Sequence, residues 1–286
     1  MLAAQRHFGA ICLPILVGLF LFALTGCGMM NLGDGLSKAI MNQDDPEIVR
    51  DGAPAYLLLA DGLIQNNPKD VNYLIAGAKL YAIYAGVFVE SPERAQRLAS
   101  KARSYGQRAL CLKNRSACDL AALPYDQYTT ALEQLGKRDL PVLYAFTLTW
   151  LVQIQVGDAN WNGMAELPKI EAALERIVVL DGTYENGNPQ LYLGVLNSLR
   201  PAALGGDPEK GRRYFEQAIV ISNGEALAMK VAYARYYARL VYNQELHDRL
   251  LVEVVEAESH IPGLTLANVL AQREAKELQE SAADYF

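Results

Sequence analysis

Histidine is scarce in this chain, with three residues in 286, and cysteine is nearly so, with four. No Cys/His cluster has metal-site spacing, and no metal or cofactor is expected. His247, in Glu245-Leu246-His247-Asp248, reads as part of a solvated helix face. His260 precedes the turn Ile261-Pro262-Gly263, and Ser259 beside it has no nucleophile motif around it. A phosphate-binding loop needs a strand before its glycines, and Gly205-Gly206-Asp207 lacks one. These absences argue against an enzyme. Alternating apolar and polar runs bounded by hairpin turns are missing too, which argues against a sheet. No block of five like charges occurs, and 26 basic residues against 32 acidic leave a net charge of −6. Nucleic-acid and anionic-lipid surfaces call for dense Lys/Arg, so neither is an expected partner.

What is present begins with a leader. An apolar run from Ile11 to Ala23 follows Arg6 and His7, with no acid before it. That is the pattern of a secretory signal peptide, and it falls short of the roughly 20 apolar residues of a membrane span. Its end, Leu24-Thr25-Gly26-Cys27, resembles a bacterial lipobox, which is cut before the cysteine and acylated on it. An ordinary signal peptide with a chance cysteine is the other reading. The expected organisation is a leader over 1–26, a lipid-anchored tether over 27–45 and a helical domain over 46–286. Removing the leader takes away one Arg and no acid, so the net charge becomes −7. By resemblance to lipoprotein sorting, Gly28 rather than Asp after the cysteine favours the outer membrane.

Cys12 leaves with the leader and Cys27 carries lipid. Cys111 and Cys118 remain, in an oxidising compartment. A local disulfide between them is expected, with two buried thiols as the alternative.

The rest reads as helix after helix. Asp45-Pro46-Glu47, Ser91-Pro92-Glu93 and Asp207-Pro208-Glu209 repeat one start signal, and Asn188-Pro189 matches it without the acid. The cap side chain satisfies free N–H groups, proline at the first helical position loses no bond, and the glutamate complements the helix dipole. Helices are predicted near 46–66, 70–87, 92–112, 125–136, 139–156, 167–180, 189–199, 208–222, 225–242, 244–257 and 265–281. The stretches 113–124 and 157–166 are read as irregular. Gly211-x3-Phe215-x2-Ala218, with Leu193-Gly194 before it, fits a tetratricopeptide hairpin carrying an inserted turn of about five residues. Ile170-x3-Leu174-x2-Ile177 is a weaker match. Ala95, Ala99, Ala102, Gly106 and Ala109 leave room for close helix approach. The predicted fold is all-α, with tetratricopeptide-like helical hairpins forming a compact superhelix.

The 16 tyrosines are the most suggestive side chains. Tyr73, Tyr81 and Tyr84 share one helix. Tyr233, Tyr236 and Tyr237 share another, with Leu240 and Val241 continuing their face and Arg235, Arg239 and Tyr242 pointing away. Such clusters suit core packing or a ligand cavity with a few polar groups. Arg200, Arg212 and Arg213 could clamp a carboxylate or pair with Glu209 and Glu216. The candidate ligand set is Tyr81, Tyr192, Arg200, Arg213, Tyr233 and Tyr237.

Several segments together resemble a known family. They are Ile177–Gly187, Leu191-Tyr192-Leu193-Gly194, the turn Arg200–Gly211 with its Leu-Gly-Gly-Asp-Pro-Glu core, Tyr214–Ile219, Val231–Ala238 and the ending Ala283-Asp284-Tyr285-Phe286. They are similar to the T component of TRAP transporters, the TatT family, over nearly the whole mature chain. The resemblance implies a periplasmic, lipid-anchored helical protein without catalytic residues, and trimers with hydrophobic clefts in some members. It implies a periplasmic solute-binding protein as partner, in a tripartite ATP-independent system moving small organic molecules, usually anionic or hydrophobic. A general scaffold lipoprotein in envelope assembly or secretion is the alternative.

Overall fold

The computed structural model describes residues 29–157, 161–199 and 205–286, and these are all-α, with no strand among them. Cys27 and Arg200 lie outside the described residues. Helix α1 runs Met29–Met41, inside the segment read as a tether, and α2 runs Pro46–Asn66. The Asp45 carboxylate caps α2 by accepting from Glu47 N at 3.0 Å and Ile48 N at 3.2 Å. Helix α3 (Val71–Val87) is capped in the same way by Asp70, and α4 (Pro92–Lys113) by Ser91. Two short 3₁₀ turns, Arg115–Ala117 and Leu120–Ala122, fill the following loop. Cys111 and Cys118 are bonded there, with Cα atoms 4.1 Å apart.

Helix α5 (Tyr125–Glu133) and the 3₁₀ turn Lys137–Asp139 lead into α6, Leu140–Val156. Most of α6 is buried on every face, which explains its unbroken apolar sequence. The small residues of α4 let it lie close: a Cβ on Gly106 would come 3.1 Å from the Ala145 carbonyl oxygen. No helix among the described residues is long and apolar enough to cross a membrane.

Helix α7 spans Trp161–Leu180. The expectation placed its start near Pro168 and left 157–166 irregular; instead the helix runs through Pro168. Interior proline costs a hydrogen bond, and contacts on both sides hold the segment in place. Trp150 Nε1 donates to Glu166 at 2.6 Å, and Lys169 Nζ donates to the Ala121 carbonyl at 2.8 Å.

Next comes the turn Tyr184–Gly187, left-handed at Glu185 (φ 48°), Asn186 (φ 55°) and Gly187 (φ 87°). It feeds directly into α8, Asn188–Leu199. Asn188 has helical geometry, so it is not the cap that its proline suggested. Helix α9 (Pro208–Ile221) is capped by Asp207. Its contact with α8 is very close: a Cβ on Gly194 would meet the Phe215 ring at 2.8 Å, and one on Gly211 the Gly194 carbonyl at 3.0 Å.

Helix α10 (Leu227–Ala232) continues as a π-helical turn over Tyr233–Ala238. Arg239 N and Asn243 N reach back five residues, to Ala234 O and Ala238 O. The apolar face predicted to run on through Leu240 and Val241 ends here, and both are exposed. An extra residue per turn rotates everything after it out of the 3.6-residue register. Helices α11 (Gln244–Glu256), α12 (Thr265–Glu280) and α13 (Ala282–Tyr285) complete the chain. One apolar core unites α2 to α8, and a second unites α9 to α12. The two ends meet: Gly263 N donates to Asn42 Oδ1 at 2.6 Å, and Arg273 grips Glu47 with two bonds of 2.6 and 3.1 Å.

Candidate functional site

The candidate tyrosines fall into three polar clusters. The first lies on α2, α3 and α4. Asp61 accepts from Tyr81 at 2.9 Å, Tyr105 at 2.7 Å and Lys101 at 2.5 Å. The Lys101 ammonium also lies 4.9 Å from the centre of the Tyr81 ring. Burial would push the Asp61 carboxyl up, but the three donors outweigh it and hold the group below its ordinary range. Burial pushes the Tyr105 hydroxyl up, to about 12, and the Asp61 carboxylate adds to the shift. Asp61 had one sequence signal, a single acid in the apolar stretch Leu57–Ile64.

The second cluster surrounds Tyr192. Its hydroxyl interacts with that of Tyr144, and burial raises both above the ordinary phenol value. The Tyr144 ring meets Tyr184 edge-on at 5.3 Å and lies 5.0 Å from Lys79 Nζ. Lys79 in turn pairs with Glu185 of the left-handed turn.

The third cluster joins α9 to the π-helical turn. Tyr233 donates to Glu216 at 3.2 Å and Tyr237 to Glu209 at 2.6 Å. Arg212 bridges both carboxylates, at 2.9 and 3.1 Å. The Tyr233 ring stacks on Phe215 at 5.3 Å. Tyr236 is only partly buried, and Arg213 is exposed on α9. The described members of the proposed ligand set are therefore spread over these separate clusters.

Two cavities lie elsewhere. One of about 400 Å³ sits against the disulfide, lined by Pro68, Gln107, Arg108, Cys111, Leu112, Cys118 and Asp119. Another, of about 180 Å³, lies between α1 and α2 against Ile40, Val49 and Tyr56. The larger one is within the size range of small-molecule sites.

His247 corrects the expectation of a solvated face, because it is completely buried. Its Nε2 accepts from Arg239 Nε at 3.2 Å, so Nδ1 carries the proton and donates to Asp248 at 2.8 Å. Phe286 packs edge-on against the ring at 5.1 Å. His260 is exposed, between Glu258 and Asp44. Ser259 Oγ also lies 3.4 Å from His260 Nδ1, the nitrogen that faces Glu258 at 3.1 Å. No group of three His, Cys, Asp or Glu residues suited to a metal occurs among the described residues.

Two comparisons place this geometry among known proteins. An uncharacterized protein of Treponema pallidum (strain Nichols) is 24% identical over 275 residues, which covers 87% of this chain and 83% of that protein. The family model described as TRAP transporter T-component matches residues 42–286.

Proposed function

The chain belongs to the TRAP transporter T-component family, and from that premise we propose that it is a lipid-anchored periplasmic accessory of a TRAP uptake system. The family is one of transport components, not of enzymes. In this reading the protein docks a periplasmic solute-binding protein and holds a small organic ligand in passing. The match over residues 42–286 carries the proposal. Its helices are read as tetratricopeptide-like hairpins, a reading supported by the close α8–α9 crossing at Gly194 and Gly211. Stacked hairpins present extended surfaces suited to a protein partner. Acyl chains on Cys27 would hold that surface at the membrane, since more than one chain anchors firmly.

The test is capture from periplasmic extract with the full chain in detergent, followed by mass spectrometry of bound proteins and small molecules. Recovery of a TRAP-type solute-binding protein is expected. Recovery of envelope-assembly proteins without one would overturn the proposal in favour of a general scaffold.

A further inference from the structure

The corner between α1 and α2 is held to the loop before α12 by a few side chains. Asn42 Oδ1 accepts from Gly263 N at 2.6 Å. One ring nitrogen of His260, Nδ1, lies 3.1 Å from Glu258 Oε1 on its own loop. The other, Nε2, lies 3.4 Å from Asp44 Oδ2, which is 216 residues away in sequence. Both nitrogens of one imidazole therefore face carboxylates. A neutral imidazole has one N–H and one lone pair, so it donates to one carboxylate and turns its lone pair to the other. The imidazolium donates to both. The Ser259 hydroxyl, 3.4 Å from Nδ1, can donate or accept and so favours neither form.

The charges acting on His260 are those of Glu258 first and then Asp44, and they raise the imidazole above its ordinary value. The neighbouring charges at this corner are otherwise engaged. Asp45 caps α2. Glu47 is bound by Arg273 of α12, which holds its carboxyl down to about 2. Glu258 is held below its ordinary value by the backbone N–H and the ring of His260. Histidine is the residue type in this group that changes charge between pH 5 and 8. What the corner positions is α1, whose Leu36, Ala39 and Ile40 wall the cavity of about 180 Å³ opposite Val49, Ala53 and Tyr56 of α2.

We propose that His260, Asp44 and Glu258 form a proton-dependent clasp that fixes α1 over the apolar cavity it shares with α2 in mild acid and releases it as the pH rises. The folded imidazole is raised, so the clasp is complete below the ordinary histidine value and is lost as pH passes upward through the folded one.

Hydrogen exchange on the full chain in detergent tests this, read by mass spectrometry on peptides covering 29–45 and divided by the intrinsic rate at each pH. Protection of α1 at pH 5.5 should exceed that at pH 8 by roughly two- to fivefold, the scale of an exposed ion pair. Peptides of α4, packed in the core, should show no such ratio. The His260 side chain is 62% exposed, so its replacement disturbs no core. His260→Gln should leave α1 at the weaker protection at both pH values. His260→Lys keeps a cation throughout and should hold α1 near the acid value at both. Asp44→Asn should lower the protection seen in acid. Equal protection at the two pH values in the parent would overturn the clasp. So would a pH dependence that survives unchanged in His260→Gln.

Discussion

Asp61 binds three helices together through one carboxylate, accepting from Tyr81 of α3 and from Lys101 and Tyr105 of α4. Its side chain is only 15% exposed, so water does little to replace those donors. Asp61→Asn should cost about 1–2 kcal/mol at neutral pH, allowing for screening at the half-exposed lysine. The folded carboxyl is held below its ordinary value. Its contribution is therefore complete above the ordinary carboxylate range and is lost as pH falls through the folded value. Urea melts should show the deficit of the variant shrinking in acid. His247 is the other residue whose neighbours decide its state. Its Nε2 accepts from Arg239 Nε at 3.2 Å. His247→Phe should leave Arg239 without its Nε partner and lower the Tm by several degrees, read by circular dichroism.

At the scale of elements, the informative places are those where regular helix fails. The turn Glu185-Asn186-Gly187 is left-handed at all three positions. Glycine adopts that conformation freely and L side chains do not. Asn186→Gly should stabilise by about 0.5 kcal/mol, measured by denaturant midpoint at constant m. Glu185→Gly relieves the same strain but gives up the Lys79 pair, so its gain should be smaller. The α8–α9 crossing is the tightest contact in the C-terminal half that the sequence pattern pointed to. Any side chain on Gly211 meets the Gly194 carbonyl and Ser198 Oγ. Gly211→Leu should destabilise by about 1–3 kcal/mol or more through overpacking, and a melt identical to the parent would mean that the helices can separate there at no cost.

For the molecule as a whole, the ends of the described chain are neighbours. Asn42, Asp44 and Glu47 near the start meet Gly263, His260 and Arg273 near the end. The Arg273–Glu47 pair is about half exposed on both sides, so Arg273→Ala should shift stability by less than about 0.5 kcal/mol. In the proposed arrangement the lipid on Cys27 enters the membrane. Cys27→Ser should then move the protein from the membrane to the soluble fraction of spheroplasts. Retention at the membrane would rule out acylation at Cys27 as the anchor.

Helix positions were legible because their causes are local. A cap such as Asp45, Ser91 or Asp207 acts within three residues, and apolar periodicity repeats within each helix. The small residues of α4 and the Gly211-Phe215-Ala218 triplet pointed to close packing for the same reason, since steric room is written in residue size. The all-α class followed from these local signals alone. What the tyrosines touch was not legible. Tyr105 finds Asp61 from 44 residues away and Tyr237 finds Glu209 from 28, and no spacing rule links such pairs. The π-helical turn, the burial of His247 under Phe286 and the run of α7 through Pro168 all depend on contacts between distant segments. Sequence determined which stretches coil and which faces are apolar, because those are nearest-neighbour effects of backbone and hydration. Tertiary structure alone decided which charges meet which hydroxyls, because a hydrogen bond depends on the final separation of two groups and not on the path of chain between them.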